Sequence, residues 1–191
     1  MIASTLALVM SVALNVLLAR NVRNLTYARS TRISENQLRV GETVPSITAN
    51  RLGGRQSTIS YQSADQPTVL YIFAPSCTWC ARNMDNLKTL IDKESGTYRF
   101  VGLSLSEEGL ADYIAKNDLK LPIYSGLPNE TKQAYKLSGT PQTIVVSPEG
   151  KVLQNWPGAY VGDQQKQVEA FFHVNLPGLR PAPSSQTIGG D

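Results

Sequence analysis

The chain of 191 residues has very little sulfur and almost no imidazole: two cysteines, Cys77 and Cys80, and one histidine, His173. Two cysteines cannot build the disulfide framework that holds small secreted scaffolds together, and a bridge between residues three apart closes too short a loop to stabilise a fold by itself. A structural zinc site takes four ligands, commonly two C-x-x-C knuckles or one knuckle with paired histidines, so no metal is expected. His173 reads as a residue at a helix C-terminus, where the dipole favours it. A strong charge of one sign is also lacking. The 18 Lys and Arg against 15 Asp and Glu give +3, and Arg20, Arg23, Arg29, Arg32 and Arg39 crowd one stretch opposed only by Glu35. Beyond residue 40, 13 basic residues face 14 acidic ones. The body therefore carries no basic patch for nucleic acid. There is no internal repeat, and 41% hydrophobic residues with 17% charged exclude wholesale disorder.

What is present begins with Ile2 to Ala19, 18 residues without a charge. A run of that length can cross a hydrocarbon core of about 30 Å. No basic side chain precedes it and no A-x-A-like cleavage site follows. It therefore reads as an uncleaved anchor over residues 1–20, with a cleaved signal peptide or a buried helix as the alternatives. Residues 21–40 form a basic, polar linker suited to anionic headgroups. By the positive-inside rule, arginines placed after the run keep the following domain in the cytoplasm. Residues 41–176 are the length of one good domain. Residues 177–191, rich in Pro, Ser and Gly, have the composition of a disordered tail.

Within the domain, Gly41 to Pro45 and Gly53-Gly54 punctuate short alternating pieces, which predicts a leading hairpin. Thr68 to Ala74 is near-continuously apolar, β-branched and aromatic, as a strand buried on both faces should be. Met84, Leu87, Leu90 and Ile91 recur at helical spacing as far as Lys93. A second strand is expected over Phe100 to Leu105. A helix starting at Ser106, with Glu107 and Glu108 in its first turn, carries Leu110, Tyr113 and Ile114. A short strand over Leu121 to Tyr124 and a short helix over Asn129 to Leu137 follow. Thr143 to Ser147 and Lys151 to Trp156 make a hairpin about Pro148-Glu149-Gly150. A last helix over Gly162 to Val174 turns Val168, Phe171 and Phe172 inward. Strands alternating with helices and closed by a hairpin give an α/β sandwich on a mixed sheet.

Cys77 and Cys80 sit where the buried strand turns into a helix. Unpaired backbone N–H groups and the positive end of the dipole stabilise a thiolate there, so the nucleophile is populated nearer neutral pH. The first sulfur of such a pair is the more exposed: Cys77 attacks a partner disulfide and Cys80, within bridging reach, resolves the mixed disulfide. Arg82 either adds positive charge or is a solvated helix residue. Peroxiredoxins share the pattern P-x-x-x-[TS]-x-x-C. Counting back from Cys77 gives Leu70 and Ala74, and from Cys80 it gives Phe73 and Cys77. Peroxidase chemistry is thus disfavoured.

A buried strand, then Cys77-Thr78-Trp79-Cys80, a helix, and Gly139-Thr140-Pro141 entering a strand together resemble the thioredoxin superfamily. The lead-in from Gly41 to Gly54, the segment from about 99 to 128 and the Ser147-Pro148-Glu149-Gly150-Lys151 turn are similar to the TlpA/ResA-type, redoxin-like membrane-anchored thiol–disulfide oxidoreductases. The resemblance covers roughly residues 41–175. It implies a thioredoxin-like three-layer α/β/α sandwich with a central mixed sheet, an N-terminal hairpin extension and an N-terminal transmembrane helix. It further implies that Pro141 is cis and that Thr140 and Pro141 line the substrate groove with Trp79 on its rim. The plain alternatives are a strand-leading proline and a packing tryptophan.

Two positions depart from the relatives. Thioredoxins carry a buried Asp six residues before the first cysteine, where this chain has Tyr71. ResA-like proteins carry Glu three residues after the second, where this chain has Asn83. Phe100 to Ser106 also contains no ionisable side chain, so the usual acceptors for the resolving thiol's proton are missing.

The expected function is reduction of selected protein disulfides by dithiol–disulfide exchange. No small-molecule cofactor is needed, because the redox pair is built into the chain. The resemblance implies protein clients, electrons from a membrane thiol reductase, and a domain outside the cytoplasm (periplasmic), opposite to the arginine count. An oxidase or isomerase on the same fold remains an alternative. So does a binding module handling Cu(I) through two soft thiolates, although Met84, the one nearby methionine, has the spacing of a core residue.

Overall fold

The computed structural model describes residues 14–21 and 37–182. Residues 14–21 are helical and exposed, and fall in a unit, Met1–Leu38, separate from Arg39–Asp191. Among the described residues no helix is long and apolar enough to cross a membrane. The expected anchor falls largely on residues 1–13 and the expected linker largely on 22–36, both outside the described residues.

The body is built on β1 (Ile47–Arg51), β2 (Gln56–Ile59), β3 (Thr68–Phe73), β4 (Arg99–Ser104), β5 (Ile123–Ser125), β6 (Gln142–Val146) and β7 (Val152–Pro157). Its helices are α1 (Thr78–Arg82), α2 (Met84–Glu94), α3 (Leu110–Asn117), α4 (Asn129–Ala134) and α5 (Gly162–Phe172). The strands form one sheet in the order β2-β1-β5-β4-β3-β6-β7. β3 runs parallel to β4 and antiparallel to β6, so the sheet is mixed, as the alternating pattern predicts. This is a thioredoxin-like α/β fold.

All six residues of β3 are buried. Alternation sends Val69, Tyr71 and Phe73 to one face and Leu70 and Ile72 to the other, so both faces need apolar cover. On the first face Tyr71 and Phe73 pack with Cys80, Met84 and Leu87 from α1 and α2 and with Leu110 and Tyr113 from α3. Val69 joins Leu90, Trp156, Tyr160, Val168 and Phe172. Burying side chains of this size stabilises by about 1.5–3 kcal/mol each, so this wall holds the cysteine helix against the sheet. The hairpin β1–β2, in register Ile47↔Ile59, docks through β1 onto β5. Gly150 ties the lead-in to the far turn: its carbonyl accepts from the Val44 N–H at 2.8 Å. Its φ of +80° and a Cβ position only 3.1 Å from the Val44 oxygen both demand glycine.

Two expectations are corrected. Helix α3 begins at Leu110 rather than Ser106. Ser104 donates to the Ser106 carbonyl at 2.5 Å, the Ser106 hydroxyl accepts from the Glu108 N–H at 3.3 Å, and Gly109 stands at φ +67°. These local bonds make a turn that competes with helix. The tail is the second case. Residues 177–182 are docked on the body, with Arg180 bonded to Arg82, Asp85 and Asn117. Composition sees flexible residues there but not the one arginine whose partners lie up to 98 residues away. Residues 183–191 lie outside the described ones.

Candidate active site

The site forms where β3 stops. Pro75 has no N–H to continue a ladder. The Cys77 N–H closes a turn on the Ala74 carbonyl at 3.1 Å, and the chain enters α1. Cys77 is the N-cap, extended at φ −78°, ψ 108°, and its Sγ accepts a hydrogen bond from the Cys80 N–H at 3.0 Å. Sulfur thus fills the place usually taken by a serine or aspartate oxygen. The two cysteines form a disulfide with Cα atoms 5.2 Å apart. Cys77 is half-buried while Cys80 is wholly enclosed, the order of exposure that the sequence predicts.

The register of the sheet brings a second segment to the same end. Gln142 pairs with Ile72, so Thr140 and Pro141 arrive where β3 gives way to the cysteine turn. The Thr140–Pro141 peptide is cis, as the resemblance implies. Thr140 is partly exposed and Pro141 is buried, its carbonyl accepting from the Gly158 N–H at 2.7 Å. Trp79 is 50% exposed on the first turn of α1. Arg82 is not a free solvated residue: its guanidinium carbon lies 4.7 Å from the Trp79 ring centroid, and its Nε donates to the Arg180 carbonyl at 3.0 Å.

The two departures from the relatives have clear structural roles. Tyr71 is buried, and burial pushes its phenol well above the ordinary range, with Tyr160 and Tyr113 adding to the rise and Asn83 opposing it. It stays protonated at any physiological pH and accepts no proton. Asn83, at the joint of α1 and α2, is wholly buried. Its Oδ1 accepts from Asn86 Nδ2 at 2.9 Å and from the Tyr160 N–H at 3.1 Å. It works as a fastener between the cysteine helix and the chain entering α5. Sequence reading missed Asn86, whose signal was available: a polar residue beside Leu87 on an apolar helix face. Asp85 and Arg180 it missed for want of any local signal. Among the described residues no group of three or more His, Cys, Asp or Glu is placed to hold a metal.

Known proteins bear on this geometry in two ways. Several solved structures share the fold. The thioredoxin domain of a thiol-disulfide oxidoreductase of Bacteroides vulgatus superposes with a TM-score of 0.58 at 23% identity, over 71% of this chain and 99% of that one. StoA of Bacillus subtilis does so at 0.51 and 18%, over 64% and 95%. At such identities the likeness is one of fold. Sequence goes further: a thioredoxin-like protein of Haemophilus influenzae is 31% identical over 118 residues, 59% of this chain and 67% of the relative. The model of the AhpC/TSA family matches residues 40–155, from the lead-in through the cysteine turn to β7. With that match spanning more than half its length, the chain belongs to the AhpC/TSA family, built on a thioredoxin-like fold.

Proposed function

We propose that this chain is a thiol–disulfide oxidoreductase that reduces selected protein disulfides. The observation that carries the reading is the Cys80 N–H aimed at the half-buried Cys77 sulfur. In the reduced protein the same N–H stabilises a Cys77 thiolate. That thiolate attacks one sulfur of a client disulfide; a mixed disulfide forms and the other client sulfur leaves as a thiolate that takes up a proton. Cys80, losing its proton to water or to the client, attacks Cys77. The Cys77–Cys80 disulfide forms, and the client departs with two thiols and two electrons. Trp79, Thr140 and Pro141 line the groove in which the client lies. The redox pair is intrinsic, so each turnover needs a dithiol reductant from outside the chain, and a membrane thiol reductase fits that role.

The pattern that peroxiredoxins share around their reactive cysteine is absent, which favours disulfide exchange over peroxide reduction within the family. The same reading places an anchor on residues 1–20, a basic linker on 21–40 and the domain outside the cytoplasm. It is supported by the uncharged run and the resemblance to tethered relatives. Protease protection in intact and opened cells tests it, and digestion only after opening the inner membrane overturns the sidedness.

The test of the chemistry is trapping. Cys80→Ala accumulates a mixed disulfide through Cys77, while Cys77→Ala accumulates none. Adducts that form equally without Cys77 refute the assignment. A reduction potential near −270 mV marks a reductant and one near −120 mV an oxidant.

A further inference from the structure

The segment after α5 does more than end the fold. Leu176 is buried, its N–H held by Glu169 Oε1 at 2.9 Å. Two residues on, the Gly178 N–H donates to Asn86 Oδ1 at 2.8 Å. Arg180 then pairs with Arg82 through the backbone, its N–H donating to the Arg82 carbonyl at 2.8 Å and its carbonyl receiving Arg82 Nε at 3.0 Å. The Arg180 side chain grips Asp85 with a fork, Nε to Oδ2 at 2.8 Å and Nη2 to Oδ1 at 2.5 Å, and reaches Asn117 Oδ1 at 3.4 Å. A planar guanidinium meeting a carboxylate through two bonds fixes orientation as well as distance. Arg180 thus joins the start of α2 to the end of α3.

The consequence falls on Trp79. An unrestrained arginine side chain on a short helix samples many rotamers. Here the Arg180 carbonyl ties down Nε while the guanidinium carbon stands 4.7 Å from the indole centroid. The strap also lines a cavity of about 280 Å³, to which Arg180 and Pro181 contribute together with Pro75 and Ala81, the residues that flank the cysteine motif. Arg82 links the two features: it lines this cavity and carries its guanidinium to the Trp79 ring.

We infer that Arg180 is a positioning residue: by clamping the carboxyl-terminal strap to the cysteine helix it fixes the Arg82–Trp79 platform on which a disulfide-bearing polypeptide docks next to Cys77. The inference rests on the oxidoreductase reading and adds a docking element to it. Arg180 touches neither sulfur, so its contribution belongs to binding of an extended client and not to the exchange step.

The full-length chain carrying Arg180→Ala, with Arg180→Lys and Asp85→Asn beside it, is assayed on insulin as a protein disulfide and on hydroxyethyl disulfide as a small one. Arg180→Ala and Asp85→Asn raise KM for insulin by about three- to tenfold, the range of one lost cation–π contact, and leave kcat within a factor of two. Rates with hydroxyethyl disulfide stay unchanged. Arg180→Lys restores part of the loss, because the charge survives and the fork does not. In a Trp156→Phe background the remaining Trp79 emission shifts and becomes more quenchable by iodide in Arg180→Ala. Unchanged KM and unchanged Trp79 emission overturn the inference, as does a parallel fall of kcat on both substrates. A wild-type chain inert to both disulfides overturns the oxidoreductase reading and takes the inference with it. Should Arg180→Ala fail to fold, Asp85→Asn cuts the same fork from the other side and is read by the same criteria.

Discussion

Four of the five helices of the body, α2 to α5, carry an acidic residue in the first turn: Asp85, Asp112, Glu130 and Asp163. Helix α1 carries none. None of those four has a side-chain cap, whereas α1 is capped by sulfur. Carboxylates are the common way to satisfy the positive end of a helix dipole. Where they are present the helix start is an ordinary piece of stability. Where they are missing, the N–H groups and the dipole are left to whatever charge Cys77 can hold. The contrast identifies a helix start kept for chemistry among helix starts kept for folding.

The largest effect separates those two uses at one position. Cys77→Ser keeps a capping oxygen and removes the sulfur. Insulin reduction disappears, while urea denaturation places the variant within about 0.5 kcal/mol of the reduced wild type, since serine is among the preferred N-caps. A large loss of stability would mean that the sulfur is mainly structural. Next, Thr78→Asp gives α1 the acid that its neighbours have. A carboxylate there competes with the thiolate for the same dipole, and alkylation of the reduced protein by iodoacetamide at neutral pH slows about threefold. An unchanged rate would show that the dipole does not govern Cys77.

A smaller effect concerns α2. The Arg180 guanidinium holds the Asp85 carboxyl below its usual range, with burial opposing it. A carboxyl whose folded-state value is depressed stabilises the fold above its unfolded value, near 4, and that contribution is lost as pH falls through the folded-state value. Both side chains are more than a third exposed, so the pair contributes about 0.5–1 kcal/mol. The stability difference between wild type and Asp85→Asn is therefore present at pH 7 and shrinks as pH falls below the unfolded-state value near 4 and through the lower folded-state one, as followed by urea titration. A difference that does not change with pH across the acid range would assign the effect to packing. The smallest effect is at α5, where Asp163 is exposed and paired with the exposed Lys166 at 3.1 Å. Asp163→Ala lowers stability by about 0.3–0.5 kcal/mol and leaves exchange untouched.

Much of this was legible in the residues themselves because it depends on neighbours in the chain. The apolar run of β3, the 3.6-residue recurrence of Met84, Leu87 and Leu90 and the cysteine pair at a strand-to-helix turn are all local patterns. The Thr140-Pro141 step needed the resemblance, since nothing in the composition announces a cis peptide. The start of α3 was misplaced because Ser106 presents an N-cap signature, and only the hydroxyl bonds of Ser104 and Ser106 reveal that a turn takes it first. The strap was illegible for a different reason. Arg180 and Asp85 are 95 residues apart, and no periodicity connects a terminal arginine with the first turn of a distant helix. Asn83 shows the intermediate case. Its failure to match the acidic residue of the relatives was visible, but its use as a double acceptor for Asn86 and the Tyr160 backbone was not.

The course of the strap also decides where the molecule can be handled. Pro181 lines the same cavity as Pro75 and Ala81, which flank the cysteine motif. Ala182, the next residue, is exposed and stands one position beyond that lining. The turn at Pro148–Gly150 lies at the other end of the sheet, past the pairing of Val146 with Thr68. A fluorophore or spin label attached at Ala182 reports on thiol state and client contact, and an affinity tag there crowds both. The same label at Glu149 is blind to them and serves as its control.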